Sequence, residues 1–102
     1  MSPAVTFFSL LRSTRPDFLA TMTPGEREVM REHMEYVKSL FDRGKILFGG
    51  AATDGTMGIL VYQVRTAAEA QELFDNDPAV KAGFGIPELH PFHVGYIGTM
   101  EL

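Results

Sequence analysis

Two side chains far apart in the chain have the types needed to move a proton. His33 carries an imidazole, whose reference pKa of about 6.5 makes it the usual proton-transfer group near neutral pH. Asp77 carries a carboxylate that can accept from one ring nitrogen, fixing the tautomer and strengthening the ring as a base. That is the orienting part an aspartate plays in a catalytic triad, here without the serine. Each residue also has a purely structural reading. His33 falls on the apolar stripe of a helix, where a neutral histidine bonded to backbone or a carboxylate would simply pack. Asp77 precedes Pro78, a common N-cap and first-turn pair. For Asp77 the two readings can coexist, because one carboxylate has two oxygens.

Other groups fall near these two in kind but not in strength. Arg12 and Arg15 flank the end of the first strand. They read either as solvated loop charge or as a substrate clamp for a carboxylate or enolate, which the guanidinium fork suits. Ser9 would join them as a substrate-binding residue if it faces the helices. Tyr36 and Tyr62 read as packing residues; Met22, Met30 and Met34 read as core, or as the lining of an adaptable pocket. His90 and His93, three apart on a strand, face opposite sides, so a shared ion would need a bulge at Pro91. The expectation is therefore no metal and no cofactor: Gly49-Gly50 and Gly55 form neither a phosphate loop nor a dinucleotide pattern.

These residues need elements to hold them. Thr23-Pro24-Gly25-Glu26 is a helix start with a capping box, and Gly44 is a stop. Between them Glu26, Val29, Met30, His33, Val37, Leu40 and Phe41 recur at helical spacing on one face. Alternation predicts strands over Ala4 to Leu11, Lys45 to Ala52, Met57 to Arg65 and Leu89 to Gly98. Arg12 to Met22 reads as a loop. The glycines at Gly49-Gly50 mark a bulge, or a place where a ligand or side chain nears the backbone. Thr53-Asp54-Gly55-Thr56 reads as a hairpin with a primed turn. Thr66 to Glu69 reads as a second capping box, opening a helix to Asp75-Asn76. Asp77-Pro78 then starts a short turn or helix through Ala82, stopped at Gly83.

The resulting order, β-α-β-β-α-β, predicts an α+β, ferredoxin-like fold: a four-stranded antiparallel sheet with two helices on one face. The first and third strands are apolar on both faces, as central strands should be. Two helices cover only one face, so the other needs a partner, which predicts a homodimer paired sheet to sheet.

Composition bounds the rest. The chain has 102 residues, of which 45% are hydrophobic and 22% charged, enough for one globular domain spanning 1–102. A net charge of −4 lacks the basic footprint of a nucleic-acid binder. The apolar run at the N-terminus is too short for a membrane span and lacks the features of a leader, so no membrane partner is expected. With no cysteine, thiol nucleophiles and disulfides are excluded, and the cytoplasm is the expected compartment.

Read together, Met30-Arg31-Glu32-His33-Met34-Glu35-Tyr36, Gly44-Lys45-Ile46-Leu47 with Gly50, Glu69-Ala70, Asp77 to Gly83 and Leu89-His90-Pro91-Phe92 resemble the YCII-related family. Ala51 and Phe92 depart from its pattern, where proline and tryptophan are frequent. The resemblance implies a ferredoxin-like subunit pairing into a dimeric α/β barrel, with an active site built on His33 and Asp77. It implies an enzyme of lyase, isomerase or dehydrohalogenase type, without a cofactor, that moves a proton on a small organic acid or phenol-like compound. The alternative from another class is a non-catalytic module that binds a small molecule in the same pocket.

Overall fold

The computed structural model describes residues 4–100. β1 (Val5–Arg12) lies inside the sheet. On one side it pairs antiparallel with β3 (Met57–Val64), from Val5 opposite Val64 to Arg12 opposite Met57. On the other it pairs with β4 (Ile86–Pro91), from Arg12 opposite Ile86 to Phe7 opposite Pro91. β2 (Ile46–Ala51) takes the outer side of β3, giving the order β2-β3-β1-β4. This is the ferredoxin-like antiparallel sheet, and its two central strands are the two that read as apolar on both faces.

The long helix α2 (Pro24–Asp42) starts as its sequence dictates. Glu26 N–H donates to Thr23 Oγ1 at 3.1 Å, and Thr23 N–H donates to Glu26 Oε1 at 2.9 Å. Gly44 follows at φ +76°, the left-handed conformation that stops a helix. Helix α3 (Ala67–Asp75) is capped by only half of the expected box. Thr66 Oγ1 accepts from Glu69 N–H, but the Glu69 carboxylate turns to Arg65 N–H at 2.9 Å and Lys45 Nζ at 2.6 Å. The nearby lysine outcompetes the reciprocal cap bond and ties β2 to α3.

The core lies between sheet and helices: Leu40 of α2, Ala70 of α3, and Ile46, Leu60, Tyr62 and Val64 of the strands. Phe7, Ser9 and Leu11 therefore share the helix side of β1, since alternate residues point the same way. The opposite face carries Phe8, whose ring meets Phe92 at 5.6 Å, and the buried Leu10 and Val61. That face is better covered within one chain than strand patterning alone suggests.

Four sequence expectations need correction. The stretch from Arg12 to Met22 is not all loop: α1 (Phe18–Thr21) is one helical turn, anchored by the buried Phe18. Four residues carry no period to read. β4 begins at Ile86, three residues early, and ends at Pro91, well before Gly98. Gly85, at φ +71°, brings the chain against the Arg12 carbonyl and starts the pairing there. At the other end Phe92 N–H still reaches Thr6 O at 3.0 Å, but β1 begins at Val5, so its ladder runs out. The β2–β3 turn is not of the primed type with two positive φ angles, for only Gly55 has one, at +78°. Asp54 instead accepts from the Thr56 amide at 3.0 Å and its hydroxyl at 2.6 Å. Finally, Phe41 is 59% exposed, and Tyr36 takes its place in the buried stripe of α2, donating from its hydroxyl to Leu73 O at 2.7 Å.

Candidate active site

Asp77 is held first by its own local structure. It is the N-cap of α4 (Pro78–Lys81), and its Oδ1 accepts from Ala79 N–H at 2.9 Å. Proline at the first helical position fixes the turn. The residue is 3% exposed, so its carboxylate is fixed in the interior where α4 meets α2. His33, one face of α2 away from solvent, brings Nδ1 to 2.7 Å from the same Oδ1. Its side chain is 15% exposed. An oxygen already accepting from a backbone amide is an acceptor for the ring as well. Nδ1 then carries the proton, and the Nε2 lone pair is left over.

His33 lines a cleft of about 780 Å3 between α2 and the β2 side of the sheet. Met30, Met34, Val37 and Phe41 supply its α2 wall, and Leu47, Phe48, Ile59 and Leu60 come from the strands. Phe18 and Phe84 close one end, edge to face at 5.1 Å. The glycine pair behaves asymmetrically. A Cβ on Gly49 would lie 2.6 Å from Leu60 Cδ2, so there a side chain does press on the backbone. At Gly50 the same position is open. Both line the cleft, which is apolar apart from a few groups, and an apolar cleft with few polar groups is the usual form of a small-molecule site.

The candidate residues divide on position. Ser9 lines the cleft, as His33 does, and is 7% exposed. Arg12 also lines it, with Nε bonded to Glu88 Oε2 at 3.2 Å. The His90 hydrogen bond, and then that of Arg12, hold the Glu88 carboxyl below its usual range. Arg15 is not brought to the cleft. Its guanidinium forks onto Glu26, with Nη2 to Oε1 at 2.8 Å and Nη1 to Oε2 at 3.1 Å, and its Nε donates to Thr21 Oγ1 at 2.9 Å. It also lies 5.2 Å from the Phe18 ring centre. The arginine thus ties α1 to the first turn of α2. His90 is bonded to Glu88 Oε1 at 3.1 Å, and no cluster of three or more acidic or histidine side chains that could hold a metal occurs among the described residues.

The Arg15 pair makes a pH-dependent strut. The Arg15 hydrogen bond, helped by Thr23 N–H, pulls the Glu26 carboxyl from the usual 4.5 down to about 2. A carboxyl that ionises more readily folded than unfolded adds stability above the unfolded value, and that stability drains as pH falls through the folded one. The corner between α1 and α2 is therefore expected to loosen between about pH 4.5 and pH 2. Amide exchange at Phe18–Thr21 should accelerate over that window in the wild type and not in Glu26→Gln. The same acid response in both would contradict it.

Two tyrosines reading as mere packing complete the surroundings of Asp77. Burial, and then the Asp77 charge, raise the pKa of both the Tyr36 and Tyr62 hydroxyls. Tyr62 is 0% exposed, and its hydroxyl closes no hydrogen bond with the described residues. Leaving such a group unpaired costs about 1–3 kcal/mol. The sequence signal for it is slight: a tyrosine at an inward position of an otherwise aliphatic strand.

The YCII-related domain model matches residues 6–92, most of the chain. The chain belongs to the YCII-related family. The fold brings the helix histidine and the Asp-Pro turn of this chain to one place. The YCII-related chain is also similar in structure to 5-chloro-2-hydroxyhydroquinone dehydrochlorinase (TftG) from Burkholderia phenoliruptrix AC1100, solved in complex with 2,5-dihydroxybenzoquinone. The TM-score is 0.63, with 23% identity over 87% of this chain and 95% of that one. At that identity the likeness establishes a shared fold. No curated protein matches the sequence. No helix among the described residues is long and apolar enough to cross a membrane.

Proposed function

We propose that this YCII-related protein catalyses proton transfer on a small cyclic, phenol- or quinone-like compound, with His33 as general base and acid and Asp77 as its orienting partner. The observation that carries the reading is the commitment of His33 Nδ1 to Asp77 at 2.7 Å while the ring borders an apolar cleft. A base needs a free lone pair, a fixed tautomer and access to the substrate; the Nδ1 bond to Asp77 and the ring's place on the cleft wall support this reading. The fold shared with a dehydrochlorinase favours elimination as the form of the reaction. The substrate reacts as its keto tautomer, in which a ring hydroxyl proton has moved to the halogen-bearing carbon and made it tetrahedral, and His33 Nε2 then takes a proton from the adjacent position. The electrons of the broken bond form a double bond in the ring, and the carbon–halogen bond breaks with its pair leaving as halide. The imidazolium then returns its proton to solvent, so no outside oxidant or reductant enters.

In this reading Ser9 and Arg12, both of which line the cleft, bind the developing oxyanion. Arg15, tied to Glu26, takes no part. The reaction as written needs no cofactor. The working unit in this reading is a homodimer, which would cover exposed apolar side chains such as Phe48 and Phe92. Light scattering at micromolar concentration should give twice the chain mass; a monomer would contradict that part. The activity itself is tested by incubating the protein with halogenated hydroxyquinols and phenols and following halide release, with solvent deuterium incorporation as a second readout. Saturable binding with neither release nor exchange would leave a binding module instead.

A further inference from the structure

Tyr62 is fully buried among aliphatic side chains, where phenylalanine would fill the same space without an unpaired hydroxyl. What lies around that hydroxyl is polar. Ser9 sits alongside, near enough to favour the phenolate yet not placed to close a hydrogen bond, and the Asp77 carboxylate and Tyr36 are close enough to disfavour it. The register explains the neighbourhood. Tyr62 pairs with Phe7 and Leu60 with Ser9, so Tyr62 and Ser9 are diagonal neighbours on the helix side of the sheet. Ser9 in turn borders the cleft, as His33 does, whereas Tyr62 lies behind it.

We propose that Tyr62 is a positioning residue which, through Ser9, forms the oxygen-binding end of the cleft. A serine hydroxyl has one proton and two lone pairs, and its proton rotates to suit its partners. When a ligand oxygen (a quinone carbonyl, a phenolate or an enolate) accepts from Ser9, the Ser9 side chain turns about χ1 to meet it, which carries Oγ and its remaining lone pairs within reach of the Tyr62 hydroxyl. The phenol then donates to Ser9 Oγ and strengthens the bond Ser9 makes to the ligand. The donor left unpaired in the free protein is paired only when the oxygen is bound, which is where such a group favours binding most. Burial keeps the phenol protonated and so able to donate. The inference deepens the proposed proton-transfer reading: His33 and Asp77 are the basic half of the site, Ser9 and Tyr62 the half that receives the negative oxygen.

The test is calorimetric titration of 2,5-dihydroxybenzoquinone into the wild type, Tyr62→Phe, Ser9→Ala, Ser9→Thr and the double variant Ser9→Ala/Tyr62→Phe. Tyr62→Phe should bind about tenfold more weakly, the scale of one hydrogen bond, while its melting temperature stays level or rises. Ser9→Ala should lose at least as much, Ser9→Thr should retain most of the affinity, and the double variant should bind no more weakly than Ser9→Ala. Wild-type affinity in Tyr62→Phe, additive losses in the double variant, or no saturable binding to the wild type would each overturn the inference. These outcomes are separable from the dyad's. Full turnover in a His33 variant would end the proton-transfer reading and leave the affinities as stated, whereas wild-type affinity in Tyr62→Phe leaves the dyad intact.

Discussion

His33→Asn is expected to lose roughly 10²- to 10⁴-fold in turnover, the range a single general acid or base supplies. The fold should survive the change. His33 is only partly buried at the edge of the cleft and is not among the side chains packed between Leu40, Tyr62 and Val64. Asp77 keeps its bond from Ala79 N–H, so α4 stays capped. The asparagine side chain is shorter and uncharged near neutral pH, and it has no lone pair able to take up a proton there. Circular dichroism should therefore be unchanged while the initial rate of halide release or deuterium exchange collapses. A rate near that of the wild type would mean that the imidazole only packs.

The second large effect belongs to Asp77, and it separates cap from catalyst. Asparagine is as good an N-cap as aspartate, so Asp77→Asn should hold α4 and leave stability near that of the wild type. The chemistry should not survive so well. The amide oxygen that keeps the cap still accepts from Nδ1–H, since both bonds fall on the one Oδ1, but a neutral amide no longer stabilises the imidazolium that forms when Nε2 takes up the proton. The same exchange in the serine-protease triad lowers turnover by about 10⁴-fold with geometry intact. A loss of about 10²-fold or more is expected here, because a second cap residue does the structural task and not the electrostatic one. Asp77→Ala should add a stability loss of about 1 kcal/mol for the missing cap. The double variant His33→Asn/Asp77→Asn should be no slower than His33→Asn alone, since the two residues act as one unit. If Asp77→Asn turns over normally, the carboxylate serves the helix and nothing more.

How much of this was legible in the sequence follows from what each feature depends on. The order of elements could be read because Thr23 with Glu26, Gly44 and the alternation through Met57–Val64 are local signals, each with a local cause. His33 and Asp77 could be paired because a titratable ring on an apolar stripe wants a carboxylate, and because the resemblance to the YCII-related family implies that pair. That they lie 2.7 Å apart depends on how α4 packs against α2, which no local pattern states. The fate of the arginines was hidden for the same reason. Arg12 and Arg15 look alike in the sequence, but Glu26 is free to receive Arg15 only because α1 folds back on the start of α2. Phe41 reads as core at its helical phase. It is exposed because it lines the open cleft and not the packed core. Tyr62 was the least legible: its hydroxyl matters only once its burial without a partner is known.

The most direct test of the account is a crystal structure of the protein with 2,5-dihydroxybenzoquinone in the cleft. The ring of the ligand is expected between α2 and the sheet, with one of its atoms within about 3.2 Å of His33 Nε2 while Nδ1 remains on Asp77. A ligand seated away from His33, or a histidine turned from Asp77 when the cleft is filled, would contradict it.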